Sequence, residues 1–370
     1  MASAPRHQAR DAFLAQTGWA EATAVPVAGD ASTRSYTRLT RGQDSAILMD
    51  APPGPDGPPV IDGKSYSTIV HLAENMRPFA ALARYLTAHG ISAPHIYAQD
   101  LTNGFLLLED LGDGVFAARI AAGADEEELY AGAIDVLAAL HALPPPGPLP
   151  CGDGGPDHIV PAFDDEALLT EARLLPSWYA RLAFGHDLDD TAQAGFAAAW
   201  RAVLPHARGD AEVLILRDYH SPNLLQLAGR RGLKRIGVID FQDALIGPAA
   251  YDVASLLQDA RRTVPAAIET RLLARYEAAR AAHAPTFDAT PFRTAYAIMG
   301  AQRTTKIIGL FARLVLRDRK PGYLKHIPQL ADYLARDLQH PALAPVAAWF
   351  AAHLPLETLR TKMDPASVAR

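Results

Sequence analysis

Asp218, Asn223 and Asp240 fall within one stretch, VLILRDYHSPNLLQLAGRRGLKRIGVIDFQD, that runs from Val213 to Asp243. The stretch alternates apolar runs with polar turns and reads as strand, polar turn, strand, basic turn, strand and polar end. Asn223 follows Asp218 by five residues, across a turn that contains Pro222, and Asp240 closes the apolar run IGVID 17 residues further on. One carboxylate can orient an attacking hydroxyl. An amide oxygen and a second carboxylate are hard donors of the kind that Mg²⁺ accepts in small number. The chemistry these three residue types can do together is metal-assisted phosphoryl transfer, which needs little more than positioning and charge neutralisation.

Such a reaction also needs donors over the phosphates and a platform for the base. Gly29, Asp30, Ala31, Ser32, Thr33 and Arg34 lie between two β-prone runs, and main-chain N–H groups in a turn of that composition can face a phosphate. Gly104–Leu108 predicts a buried strand that runs straight into Glu109, Asp110 and Leu111, whose main chain can hold a purine edge. Arg77–His89 predicts a helix, with Phe79, Leu82, Ala83 and Leu86 on one face and Gly90 ending it. Helices then dominate, including Glu126–Leu143, Asp165–Phe184, Asp190–Leu204, Pro265–His283 and Pro291–Arg317. The expected architecture is α+β in two lobes: a nucleotide-binding lobe over residues 1–108, a hinge over 109–113, and a large, mostly helical catalytic and acceptor-binding lobe over 114–370.

Bulk properties narrow the alternatives. A chain of 370 residues exceeds what one core usually fills, in keeping with two lobes. With 49% apolar and 21% charged residues the composition is that of an ordinary globular protein, and a net charge of −6 argues against sequence-independent nucleic-acid binding. The basic cluster Arg230, Arg231, Lys234 and Arg235 reads as a solvated turn. Cys151 is the single cysteine, so no internal disulfide forms, and its PPPGPLPCGDGGP surroundings read as an exposed loop that carries no chemistry. No apolar run approaches the ~20 residues of a membrane span and no signal-peptide core is evident, so a cytoplasmic protein without a membrane partner is expected.

Three segments give the chain a family resemblance: LRDYHSPNLL (Leu216–Leu225), VIDFQDA (Val238–Ala244) and GPAAYDVASLL (Gly247–Leu257). Their order and spacing resemble the aminoglycoside phosphotransferase and choline-kinase-like superfamily, a branch of the protein-kinase-like fold. The resemblance implies ATP and Mg²⁺ as cofactors, Asp218 as the catalytic base or orienter, Asn223 and Asp240 as metal ligands, and Asp252 as an anchor of the helix that follows. GDASTRSY, AILMDAPP, GFLLLEDLGD and AQRTTKIIGLFARL, with RDRKPGYLKHIP after it, together resemble the cell-wall-recycling anomeric sugar kinases. That closer resemblance implies a small amino-sugar partner, N-acetylmuramate or N-acetylglucosamine, phosphorylated at its 1-hydroxyl.

The chain departs from the wider kinase pattern in one respect. The strand position where a lysine would hold the phosphates lies in Ala46-Ile-Leu-Met49, and the Arg77–His89 helix has no acid to pair with such a lysine. The need for a cation passes to Arg34 or Arg38. On the acceptor side the resemblance points to Glu171, Trp178, Tyr179, His220, Arg303 and Lys306. Arg303 and Lys306 are three apart on one helix face and can meet an acetyl group, a lactyl carboxylate or a phosphate, or pair with surface carboxylates. Trp178 fits a packed core more closely than a sugar platform. Asp218, His220 and Asp240 also compose a conceivable hydrolase metal set, but no H-x-x-x-H or Cys/His cluster supports zinc.

Overall fold

The computed structural model describes residues 4–27, 34–54, 59–61, 63–208 and 212–361. The chain forms two compact units. The first comprises Met1–Asp125, Pro146–Val160 and Pro222–Asp243; the second comprises Glu126–Pro145, Pro161–Ser221 and Ala244–Arg370.

In the first unit, strands β1 (Thr23–Val27), β2 (Ser35–Arg41) and β3 (Asp44–Asp50) precede a short antiparallel pair, β4 (Pro59–Ile61) and β5 (Lys64–Ser65). Strands β6 (Ile96–Asp100) and β7 (Phe105–Glu109) complete a five-stranded antiparallel sheet of order β1-β2-β3-β7-β6. Side chains alternate across a strand, so β3 sends Ala46 and Leu48 to one face. There they pack with Leu39, Phe105 and Leu107 against Phe13 of the helix Ala4–Gln16 and against Trp19. Burying each large apolar side chain contributes roughly 1.5–3 kcal/mol, which fixes the register of the sheet. On the other face Tyr36 stands directly opposite Met49. Gly104 opens β7 at φ 73°, and a Cβ there would lie 2.0 Å from the Ala51 carbonyl oxygen, so only glycine lets β3 and β7 close.

The helix Arg77–Ala88 buries Phe79, Leu82, Ala83 and Leu86, as its periodicity requires, and Pro78 sits in its first turn where its missing N–H costs nothing. Phe79 stacks on Phe241 with ring centroids 4.8 Å apart, which fixes the segment just after Asp240. The Pro/Gly-rich loop is tied down. Leu149 and His158 exchange main-chain hydrogen bonds of 2.9 and 2.8 Å, and Arg77 pairs with Asp153 at 2.6 Å. Cys151 is therefore buried, not exposed as the loop composition suggested, and burial pushes its thiol up, away from reactivity.

The second unit is mostly helical. Strand β8 (Glu212–Ile215) belongs to it, whereas β9 (Leu224–Gln226) and β10 (Ile236–Val238) belong to the first unit; β11 (Leu245–Pro248) pairs antiparallel with β8. The long helix Ala289–Leu316 is buried along most of its length. A Cβ on Gly309 would lie 2.2 Å from the main-chain carbon of Leu174, so glycine lets this helix come against backbone. The segment expected as one helix over Asp165–Phe184 is divided into Asp165–Ala172, a π turn at Leu175–Tyr179, and Ala180–Phe184. Pro176 lacks the N–H that a regular α-helix would use there. Among the described residues no helix is long and apolar enough to cross a membrane.

Candidate active site

In the first unit the β9–β10 pairing brings two of the nominated residues together. Leu224 faces Val238; Asn223 precedes Leu224, Asp240 lies two residues beyond Val238, and the Ile239 N–H between them donates to the Asn223 carbonyl at 3.1 Å. The Asn223 amide Nδ2 then donates to Asp240 Oδ2 at 3.4 Å. Asp240 adopts φ 61°, a left-handed conformation that is uncommon outside glycine and is concentrated at functional sites. Its carboxylate also accepts from Gln242 Nε2 at 3.0 Å and lies 3.3 Å from Arg34 Nη1. Gln242 further donates to Asp243 at 3.2 Å, and Asp243 accepts the Ala73 N–H at 2.6 Å, so the end of the strand is held from several sides.

An amide and a carboxylate held side by side suit Mg²⁺, which takes few protein ligands and keeps positions for phosphate and water. Among the described residues no group of three or more His, Cys, Asp or Glu side chains could hold a metal ion, so a zinc-type set is not built here.

Of the residues nominated around the nucleotide, Gly29, Asp30, Ala31, Ser32 and Thr33 lie outside the described residues. Arg34 and Tyr36 form a pair beside Asp240; burial pushes the Tyr36 phenol up to about 12, partly offset by Arg34. Glu109 is ion-paired with Arg230, and its N–H donates to His95 O at 2.8 Å. Asp110 accepts from Arg38 at 2.7 Å and from the Gly112 N–H at 2.9 Å. Burial resists ionisation of Asp110, but Arg38, Ser45 and that N–H outweigh it and hold the carboxyl below its usual range. Leu111 makes no main-chain hydrogen bond among the described residues, which leaves its N–H and carbonyl for a ligand. Met49 is 1% exposed and brings no charge to the lysine position. Since Arg38 is bound to Asp110 and Asp113, Arg34 is the one of the two candidate cations that stands at Asp240.

In the second unit Asp218 sits in a loop gripped at both ends by buried carboxylates. Asp252, in the first turn of the helix Ala250–Leu257, accepts the N–H groups of Leu216 and Arg217 at 2.6 and 2.9 Å. It thus anchors the loop before Asp218 as well as standing in the helix that follows, to which the family resemblance had assigned it. Arg217 takes φ 63°, and Ser255 Oγ donates to its carbonyl at 3.2 Å. At the other end Asp259 accepts the Ser221 N–H at 3.0 Å and its hydroxyl as well. Between them Tyr219 Oη donates to the Ala133 carbonyl at 2.9 Å, and the His220 ring nitrogen Nδ1 lies 3.0 Å from the Asp218 carbonyl. Replacing Asp252 by Ala would strip two buried N–H groups of their acceptor, each worth about 1–3 kcal/mol. Thermal melting of Asp252→Ala should therefore show a large loss of stability, and an unchanged melting temperature would contradict this anchoring.

Buried Glu171 pairs with Lys306 at 2.6 Å and with Arg217, and Lys306 also lies 3.4 Å from Tyr251 Oη. Arg303 acts electrostatically on Asp218, His220 and Tyr251. Glu171, His220, Arg303 and Lys306 therefore gather at Asp218. Tyr179 and Trp178 have other partners: the Tyr179 hydroxyl donates to the Thr358 carbonyl at 3.0 Å, and Arg181 lies over the half-buried Trp178 ring at 5.9 Å. Sequence reasoning passed over Arg217, Gln242, Tyr251 and Asp259. Arg217 adjoins Asp218, and Asp259 lies just beyond the C-terminal end of the helix whose first turn holds Asp252.

The description of the phosphotransferase enzyme family matches residues 23–286. The chain belongs to this family. An N-acetylmuramate/N-acetylglucosamine kinase of Caulobacter vibrioides is 41% identical to it over 367 residues, which cover 97% of this chain and 99% of that one. A protein of the same name from Pseudomonas putida is 35% identical over 334 residues, 88% of this chain and 87% of its own. The fold is also that of a solved aminoglycoside phosphotransferase with ADP bound, at a TM-score of 0.54 and 15% identity over 91% of this chain and 99% of that one.

The electrostatics of this phosphotransferase bear on how Asp218 works. Burial pushes its carboxyl up, but Lys306, His220, Arg217 and Arg303 overcome that and hold it below the usual carboxylate range. Burial pushes the His220 imidazole down, toward the neutral form. Burial also opposes the charges of Lys306 and Glu171, yet their mutual attraction raises the lysine and lowers the glutamate. A group with a depressed pKa is ionised above that value and loses its charge only as pH falls through it. The acid limb of kcat/KM should therefore lie below the ordinary carboxylate range in the wild type and move to higher pH in Lys306→Met. A pH–rate profile that does not move would remove Lys306 from this role.

Arg34 makes a separate prediction. Losing a charge-assisted contact costs about 1.5–3 kcal/mol, so Arg34→Gln should raise the KM for ATP by roughly 10–100-fold with a much smaller effect on the acceptor KM. Steady-state kinetics with each substrate varied in turn would measure this. An unchanged KM for ATP would remove Arg34 from this role.

Proposed function

We propose that this phosphotransferase moves the γ-phosphate of ATP to the anomeric hydroxyl of N-acetylmuramate and of N-acetylglucosamine. The observation that carries the reading is the 41% identity, along 97% of the chain, to a protein of that name. The intact Asp218, Asn223 and Asp240 support it.

In the reaction the anomeric oxygen forms a bond to the γ-phosphorus, the bond between that phosphorus and the β–γ bridging oxygen breaks, and ADP leaves. The hydroxyl proton passes to Asp218. A carboxylate held below its usual range is a weak base, which suits a loose transition state in which the proton moves late, and an anomeric hydroxyl is more acidic than other sugar hydroxyls. Asp218 therefore acts chiefly by orienting the acceptor. Asn223 and Asp240 would hold Mg²⁺, which when bound would neutralise phosphate charge. Arg34 supplies the cation that the β3 strand lacks, and residues 29–33 are expected to contribute main-chain donors to the phosphates. The main chain at Glu109–Leu111 receives the purine edge. In functional terms residues 1–108 bind nucleotide, 109–113 act as hinge, and 114–370 complete catalysis and receive the sugar, in a cytoplasmic protein.

A coupled assay of ADP release with N-acetylmuramate, N-acetylglucosamine, kanamycin and choline as acceptors tests the proposal. Turnover with the two N-acetyl sugars and background rates with the other two is the expected result. Turnover confined to kanamycin or choline would overturn it.

A further inference from the structure

Around Asp218, each cation but one has a partner. Lys306 is paired with Glu171 and faces Tyr251, and Arg217 is paired with the same carboxylate. Arg303 is 5% exposed and makes no hydrogen bond or ion pair among the described residues. An arginine cannot shed its charge by deprotonation, and with no hydrogen bond or ion pair among the described residues the Arg303 guanidinium is open to an anion. The charges agree: the three cations Arg217, Arg303 and Lys306 face the two carboxylates Glu171 and Asp218, which leaves one positive charge over. Arg303 shares a helix face with Lys306, three residues on, and its charge acts on Asp218, the residue that orients the acceptor.

We propose that Arg303 is the counter-ion for a carboxylate on the acceptor sugar, and so the residue that sets preference between the two substrates. This rests on the function proposed above. N-acetylmuramate carries a lactyl ether, with a carboxylate ionised at neutral pH, where N-acetylglucosamine carries a hydroxyl. A planar guanidinium matches a carboxylate with two parallel N–H donors, and a site built for such a group discriminates against the analogue that lacks it. The Arg34, Asn223 and Asp240 cluster already provides for phosphate, whereas Arg303 belongs with the residue that handles the acceptor. The transferred phosphoryl group is the other anion that could meet Arg303, and kinetics separates the two.

The test compares kcat and KM on both sugars, at saturating ATP, for the wild type, Arg303→Gln and Arg303→Lys. In Arg303→Gln the ratio of kcat/KM for N-acetylmuramate to that for N-acetylglucosamine should fall about 10–100-fold, mainly through KM for N-acetylmuramate. Arg303→Lys, which keeps the charge but not the fork, should recover part of the ratio. Circular dichroism and thermal melting of the same variants report that they are folded. An unchanged ratio overturns the proposal. So does an equal loss on both sugars carried in kcat, the signature of a phosphoryl contact. A wild-type protein that turns over neither sugar overturns the function itself, and this proposal with it.

Discussion

Asp218→Asn should lower kcat by about 10²–10⁴-fold, the range over which a positioned proton acceptor contributes, while ATP affinity should stay within about twofold of the wild type. The substitution keeps the shape of the side chain and removes its charge. The loop should survive it, because Asp252 grips Leu216 and Arg217 from one end and Asp259 grips Ser221 from the other. Removing a negative charge from among Lys306, Arg217 and Arg303 leaves these cations facing each other, so some loss of stability is expected beside the loss of rate. Single-turnover rates and nucleotide titrations on the same preparation separate the two effects. Near-normal turnover would take Asp218 out of its assigned role.

The second large effect is at Asp240. Charge neutralisation by a bound divalent cation is worth several kcal/mol of transition-state stabilisation, and each 1.36 kcal/mol is a factor of ten. Asp240→Ala should accordingly lower kcat by about 10³-fold or more and move the Mg²⁺ dependence of the residual activity to higher concentration. Asp240 also accepts from Asn223 and Gln242 and lies against Arg34, so the substitution disturbs the whole cluster. The Mg²⁺ titration is what distinguishes a metal ligand from a merely structural carboxylate. Turnover within threefold of the wild type at the same Mg²⁺ would exclude the assignment.

Much of the site was legible because the sequence carries it in short range. Asp218, Asn223 and Asp240 stand at the ends of three apolar runs, and the register of β9 on β10 follows from those runs. The helix Arg77–Ala88 was legible for the same reason, since its apolar positions recur at helical spacing. What was not legible depends on contacts far apart in the chain. No local pattern announces that Asp252 would accept from residues 35 and 36 positions earlier, or that Cys151 would be buried by a loop that Arg77 holds down. The π turn at Leu175–Tyr179 needed Pro176 to be read as a defect inside a helix rather than as a tolerated residue. Arg303 and Lys306 looked alike in the sequence. Only the packing separates a lysine paired with Glu171 from an arginine with no partner among the described residues.

Which hydroxyl receives the phosphate is decided by one measurement. N-acetylmuramate incubated with ATP and the enzyme is followed at once for ADP formed and for reducing ends remaining. Transfer to the anomeric hydroxyl removes one reducing end for each ADP formed, and that equality is the expected result. ADP formed with all reducing ends retained, and a phosphorylated sugar that still reduces, would contradict it.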